Sequence, residues 1–102
     1  MKIVIALGGN ALIKKGEKQT YSNLLSNVKT TCKNLIPIIK KHQIVITHGN
    51  GPQIGFLALQ NEFAKSKVPS MPLDILGAES QGLIGYPLEE QLVNFLRYHK
   101  KD

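Results

Sequence analysis

The sequence predicts an α/β fold, a partial three-layer sandwich of parallel strands with flanking helices. Two β-branched runs, residues 2–7 and 43–47, are each followed by a glycine-asparagine loop and then by a helical pattern. Continuous runs of isoleucine and valine are typical of buried parallel strands. Because strand, helix and strand follow in succession, we expect a right-handed crossover. The 102 residues correspond to one domain or part of one.

The first helix is predicted to begin at Thr20 or Ser22, since either hydroxyl can cap a helix N-terminus. Apolar residues then recur at three- and four-residue spacing, and we expect this face to pack on the sheet. Pro37 lies inside the pattern and predicts a kink or a new short segment in the last turn. The recurring apolar residues are Leu24, Val28, Cys32, Leu35 and Ile39.

Two further helices are predicted after the second strand. Pro52 suits a first helical turn, where its missing N–H has no intrahelical partner anyway. Residues 66–72 form a turn-rich connection, and a long helical pattern follows from Leu73. Pro87 predicts a break in it near residues 85–87. The apolar side of the second helix is assigned to Ile54, Leu57, Ala58 and Phe63.

Composition excludes several classes of protein. With 42% apolar and 20% charged residues the chain is globular rather than disordered. The net charge of +6 comes from scattered lysines without a basic stripe, so we expect no nucleic-acid partner. No apolar stretch is long enough for a membrane span or signal peptide, and a cytoplasmic location is expected. The single cysteine, Cys32, is expected to be a buried thiol, and no metal ligands are assigned.

The two glycine-asparagine loops are the candidate functional site. Gly8, Gly9 and Asn10 follow the first strand, while Gly49, Asn50 and Gly51 follow the second. Glycine tolerates positive φ and leaves backbone N–H groups open to an anion near a helix N-terminus. In open α/β sheets the ligand crevice lies at the carboxyl ends of the strands. The loops therefore predict a site for a carboxylate or phosphoryl group.

Several residues of this site have a structural interpretation as well as a functional one. A single glycine loop is often only a tight turn, but two loops at the same sheet edge favour a ligand. The phosphate-loop and dinucleotide signatures are both absent. His48 either donates toward substrate or fixes the loop through its own hydrogen bonds. The polar residues Asp74, Glu79, Ser80 and Gln81 of the third helix serve packing or subunit contacts as readily as chemistry.

Three stretches resemble carbamate kinases, within the amino-acid kinase family. They are ALGGNAL at residues 6–12, VITHGNGPQIG at 45–55 and PLDILGAESQGLIGY at 72–86. The resemblance implies reversible phosphoryl transfer between ATP and carbamate, giving ADP and carbamoyl phosphate, with magnesium. It further implies that Gly8, Gly9 and Asn10 hold the transferring phosphoryl group. The second loop, Gly49, Asn50 and Gly51 with His48, would hold the carbamate.

One position separates carbamate kinases from other members of the family. Many relatives carry a lysine two residues before the glycine pair, where this chain has Ala6. Carbamate kinases share that absence and take the lysine from a protruding segment later in the chain. The resemblance therefore favours carbamate kinase over an acetylglutamate, aspartate or uridylate kinase.

The resemblance runs from Met1 to about Arg97 and covers only the N-terminal portion of a family member. Residues 1–102 are therefore assigned to the N-terminal, carbamate- and phosphoryl-binding part of an amino-acid kinase domain, with the nucleotide-binding half absent. We therefore expect the isolated chain to be inactive without that half. Two parallel strands and three helices would leave a strand edge and one helix face without the partners that a larger sheet provides. Together with the resemblance, this favours a homodimer or a complementary C-terminal half as partner. The alternatives are a non-catalytic remnant that binds an anion or a kinase subunit, and a related kinase whose acceptor is an acylated amino acid.

Overall fold

The predicted α/β fold with parallel strands is confirmed in the computed structural model. It describes the backbone of residues 1–100 and the side chains of residues 1–97. Strands β1 and β2 pair in parallel, from Lys2 opposite Gln43 to Leu7 opposite His48. The elements are, in order, β1 (Lys2–Leu7), a short 3-10 turn (Gly9–Ala11), α1 (Tyr21–Ile39), β2 (Gln43–His48), α2 (Gly51–Ala64) and α3 (Leu73–Lys100).

The hydrophobic core lies where α1 and α3 pack against each other and against one face of the sheet. Ile5 and Ile46 contact this core from the strands. Cys32 is fully buried within it, as predicted, and burial raises the pKa of its thiol to about 11. The buried core residues are Leu7, Leu12, Leu24, Val28, Cys32, Ile84 and Leu88.

The opposite face of the sheet is open, which corrects the expectation of strands buried on both sides. Val4 and Val45 pair across the two strands and keep 68% and 59% of their surface exposed. Side chains alternate along a strand, so a continuous apolar run does not by itself bury both faces. Among the residues described, the helices supply cover for one face only.

Both internal prolines lie within continuous helices. Helix α1 passes through Pro37 and ends at Ile39, and α3 passes through Pro87. The predicted break at residues 85–87 was therefore wrong. Pro87 is less than 2% exposed between Ile84 and Leu88, which belong to the core, so its packing offsets the backbone hydrogen bond that proline cannot make.

The helix ends agree with the sequence-based predictions better than the apolar helix faces do. Thr20 caps α1, since its Oγ1 accepts a hydrogen bond from the Asn23 N–H at 3.1 Å. Pro52 stands in the first turn of α2, as predicted. Phe63, assigned to the apolar side of α2, is 85% exposed, whereas Ile54, Leu57 and Ala58 are half-buried. At 3.6 residues per turn, Phe63 lies on the opposite side of the helix from Ile54. None of the helices described is both long enough and apolar enough to cross a membrane.

Candidate functional site

The two glycine loops leave the sheet side by side. Leu7 and His48, the last residues of β1 and β2, lie directly opposite each other. The pairing continues one step further, because the Gly49 N–H donates to the Leu7 carbonyl at 3.3 Å. Both loops therefore begin at the same edge of the sheet, at the carboxyl ends of parallel strands, where α/β folds place their ligands.

The first loop presents unused backbone donors. Gly8 is extended, and the turn that follows is closed by Ala11 N–H to Gly8 O at 3.1 Å and Leu12 N–H to Gly9 O at 3.0 Å. Within the described part of the chain, the N–H groups of Gly9 and Asn10 make no hydrogen bond. Both residues are exposed. Two consecutive free N–H groups are suited to an anionic oxygen.

The glycines of the loops act through their missing side chains rather than through unusual backbone angles. Of the residues described, only Gly16 has a positive φ, at 87°. A Cβ added to Gly8, Gly9, Gly49 or Gly51 would meet no described atom within 4 Å. A side chain there would instead occupy the space through which an anion approaches the backbone.

The second loop leads directly into α2. The Gly49 N–H is already bonded to Leu7, so it is not available to a ligand. Asn50 is the N-cap of α2, and Gly51 is its first residue. The first N–H groups of a helix have no intrahelical acceptor, which leaves those of Asn50 and Gly51 open to an anion. Donors from the two loops thus converge on one sheet edge.

The side chain of Asn50 holds the second loop to α3. Its Nδ2 donates to Ser80 Oγ at 2.9 Å, and Ser80 Oγ donates in turn to the Gly77 carbonyl at 2.6 Å. Ser80 is fully buried. Of the four polar residues considered in the third helix, Ser80 is therefore placed beside the loops. The other three, Asp74, Glu79 and Gln81, are exposed, with Asp74 in the first turn of α3.

His48 is engaged with its own loop. Its Nδ1 lies 3.0 Å from the Gly49 carbonyl, and because a carbonyl oxygen only accepts, the hydrogen of this bond is on Nδ1. Its Nε2 lies 3.9 Å from the position that a Cβ on Gly85 of α3 would take. This geometry favours the interpretation that His48 fixes the loop.

Sequence reasoning missed a polar cluster behind the first loop. Asn27 of α1 donates to the Leu12 carbonyl at 2.9 Å and to Glu17 Oε1 at 2.8 Å. Thr31, one turn later, donates to the Ala11 carbonyl at 3.1 Å. The sequence did contain a sign of this cluster, because Asn27 is a polar residue on the buried face of α1, between Leu24 and Val28.

A cavity of about 390 Å³ lies beside the cluster, between the start of α1 and the first turns of α2. Gln53 lines it and is only 5% exposed. Its Oε1 is buried without a hydrogen-bond partner among the residues described. The cavity is otherwise mainly apolar, with Ile13, Tyr21, Leu24, Phe56 and Leu83 among its walls.

The described part of the chain contains no preformed metal-binding site. Across the residues described, no group of three or more His, Cys, Asp or Glu side chains is arranged to hold one. The residues present therefore do not fit a magnesium site of their own. Backbone amides and neutral side chains dominate the loop surface, and their chemistry suits anions rather than cations.

The sequence matches a family and several curated relatives. The amino acid kinase family matches over residues 1–94. The carbamate kinase of Rhizobium meliloti is 53% identical over 98 residues, which are 96% of this chain and 30% of the relative. That of Haemophilus influenzae is 49% identical over 98 residues, 96% of this chain and 31% of the relative.

Solved structures give the same result. Carbamate kinase from Giardia lamblia bound to citric acid has a TM-score of 0.94 and 40% identity, covering 97% of this chain and 32% of that one. The same enzyme bound to AMP-PNP also has a TM-score of 0.94, covering 97% and 35%. The chain spans about a third of the length of these relatives. It belongs to the amino acid kinase family, and the predicted resemblance to carbamate kinases is confirmed.

Proposed function

We propose that this chain supplies the phosphoryl- and carbamate-binding loops of a carbamate kinase-like phosphotransferase. Gly8, Gly9 and Asn10 hold the transferring phosphoryl group in this proposal. The second loop, Gly49, Asn50 and Gly51, holds the carbamate through the N–H groups of Asn50 and Gly51, with Gly49 leaving the approach open and His48 positioning the loop. The main support for the proposal is the position of two sets of unbonded N–H groups. Those of Gly9 and Asn10 follow β1, those of Asn50 and Gly51 follow β2, and the two strands are adjacent and parallel.

The reaction requires the loops to bring two anions together. A carbamate oxygen attacks the γ-phosphorus of ATP, the bond to the β–γ bridging oxygen breaks, and ADP leaves with that electron pair. The acceptor is already ionised, so no general base is needed. Catalysis then depends on positioning and on stabilising negative charge. Neutral N–H donors of the two loops serve positioning, with the Gly9 and Asn10 amides facing phosphoryl oxygens.

Nucleotide and magnesium are assigned to residues outside this chain. A carbamate kinase structure similar to this one contains AMP-PNP, and the chain spans about a third of that protein. The residues described offer no cluster of side chains for a cation, so the two loops act on the anions alone. We propose that the complementary part of the fold, in whatever polypeptide carries it, provides those groups and covers the open face at Val4 and Val45.

Amide chemical shifts of the ¹⁵N-labelled chain, titrated with carbamoyl phosphate, test the binding proposal. We expect the Gly9, Asn10, Asn50 and Gly51 amides to move together with one dissociation constant. Gly9→Val should abolish the shifts at the first loop, since its side chain would occupy the anion path, whereas Gly82→Ala on α3 should leave them unchanged. Shifts spread over surface lysines instead of the loops would contradict the proposal.

Activity is tested separately, by coupled detection of ATP formed from ADP and carbamoyl phosphate with magnesium. We expect no turnover by the chain alone. Turnover should appear when the remaining two thirds of the Haemophilus influenzae carbamate kinase are added as a separate polypeptide. Turnover by the chain alone would contradict the assignment of the nucleotide site to other residues.

A second candidate function is an interaction module without catalysis. The open sheet face favours it, because Val4 and Val45 present apolar surface that a partner chain would cover. Binding of carbamoyl phosphate at the loops, with no turnover in any reconstituted mixture, is the outcome expected for this alternative.

A further inference from the structure

We propose that Asn27 is a positioning residue that holds the first loop in its anion-binding conformation, together with Thr31 on the same face of α1. The inference rests on the proposed function of that loop. It assigns a role to residues that touch neither the transferring phosphoryl group nor the carbamate. Their effect passes through the backbone carbonyls of Ala11 and Leu12.

Both hydrogens of the Asn27 amide are used. Nδ2 donates to the Leu12 carbonyl at 2.9 Å and to Glu17 Oε1 at 2.8 Å. The same Glu17 oxygen accepts the Lys14 N–H at 2.7 Å. These hydrogen bonds lower the pKa of the Glu17 carboxyl, with the Asn27 bond as the largest cause. Asn27 thus joins the start and the end of the segment 12–17.

The carbonyl of Leu12 is the link to the anion site. Leu12 is 1% exposed, and its N–H donates to Gly9 O at 3.0 Å. Its two backbone polar groups are therefore held from opposite directions, by α1 and by Gly9. Loss of the bond from Asn27 to the Leu12 carbonyl therefore displaces the turn that orients the N–H groups of Gly9 and Asn10.

Thr31 repeats the contact one turn along the helix. Residues four apart lie on the same helix face, so Asn27 and Thr31 both point at the loop. Thr31 Oγ1 donates to the Ala11 carbonyl at 3.1 Å. Consecutive carbonyls of the loop are thus held by consecutive turns of α1, which is a rigid element. An apolar residue at position 27 would leave the buried Leu12 carbonyl without a donor.

The double variant Asn27→Asp with Glu17→Gln isolates the proposed bond. The swap keeps the total charge and lets the new amide at position 17 donate to the new carboxylate at position 27, so the link between the two side chains remains. At the Leu12 carbonyl, a carboxylate oxygen that cannot donate replaces the amide donor, so this bond is lost and the two oxygens repel each other. The single variant Glu17→Gln is the matched control, because it keeps Asn27 and its bond to Leu12.

The readouts are the dissociation constant of inorganic phosphate, followed at the Gly9 and Asn10 amides, and hydrogen exchange without ligand at the Ala11 and Leu12 amides, which close the turn by donating to Gly8 O and Gly9 O. We expect the double variant to bind phosphate about tenfold more weakly, a change equivalent to one hydrogen bond. Its Ala11 and Leu12 amides should exchange faster than in the parent chain, because the turn that they close opens more often. Glu17→Gln should change the dissociation constant by less than about threefold.

A second comparison uses Thr31. Thr31→Val has nearly the same shape but no hydroxyl and should weaken phosphate binding, whereas Thr31→Ser keeps the donor and should restore it. A role in stability alone would lower the urea midpoint of the double variant and of Thr31→Val while leaving phosphate affinity and amide exchange at the loop unchanged. That result would overturn the inference.

The experiments distinguish a failure of the proposed function from a failure of the role assigned to Asn27. If the parent chain bound no phosphate at the loops, the proposed function would fall. Exchange at the Ala11 and Leu12 amides would then decide the role of Asn27. Faster exchange in the double variant supports positioning of the loop, and unchanged exchange overturns it.

Discussion

Asn50 Nδ2 donates to Ser80 Oγ at 2.9 Å and so joins the second glycine loop to the middle of α3. Thirty residues of sequence separate the two partners. This bond uses one hydrogen of the Asn50 amide and ties the side chain of the loop to α3. Helix α3 therefore belongs to the support of the site as well as to the core.

Ser80→Ala should loosen this support. The Asn50 amide would lose its buried acceptor, and we expect the free energy of unfolding to fall by about 1–2 kcal/mol. Urea denaturation measures the change. Ser26→Ala, at an exposed position within α1, is the matched control for the helix propensity of alanine and should be neutral or slightly stabilising. Equal effects at the two serines would contradict the role assigned to Ser80.

Acidification should weaken the cluster behind the first loop. The pKa of the Glu17 carboxyl is lowered by hydrogen bonds from Asn27 and the Lys14 N–H, so its contribution to stability is fully present above its ordinary pKa of 4.5. That contribution is lost as the pH falls through the lower folded-state value. We expect the parent chain to lose more stability than Glu17→Gln between about pH 6 and pH 3. If the parent chain and Glu17→Gln lost stability equally over this pH range, the Glu17 carboxylate would not stabilise the cluster.

Pro37→Ala should stabilise the chain. Pro37 is exposed within α1 and cannot donate to the carbonyl four residues earlier, whereas alanine can. Alanine also makes the unfolded chain more flexible, which reduces the benefit. We therefore expect the free energy of unfolding to rise by about 2 kcal/mol. Pro87→Ala should gain less, because Pro87 is buried and its packing is lost. Thermal and urea midpoints of both variants provide the measurement.

The two faces of the sheet should respond differently to charge. Val45→Lys places an ammonium on the open face and should leave stability almost unchanged while reducing any self-association through that face. Ile46→Lys, one residue away, directs the same group at the core and should prevent folding. Sedimentation velocity and circular dichroism distinguish these results. A large loss of stability in Val45→Lys would show that its face is covered in the chain alone.

Local features of the fold were predictable because they depend on neighbouring residues. The strand at Lys2–Leu7, the Thr20 cap and Pro52 in the first turn of α2 all agree with the sequence interpretation. Each rests on a short-range rule of backbone geometry or capping. The glycine loops were found in the same way, since a strand followed by glycine and a helix is a local pattern.

The sequence by itself determined the element types, the position of both loops and the resemblance to carbamate kinases. Tertiary structure alone decided that Pro87 is held inside a continuous helix and that Val4 and Val45 lie on an open face of the sheet. It also decided that Asn27 reaches Leu12 and that Asn50 reaches Ser80. These outcomes depend on how each helix is rotated and placed against distant parts of the chain. Periodicity gives a helix its face, but only packing selects the partner of that face.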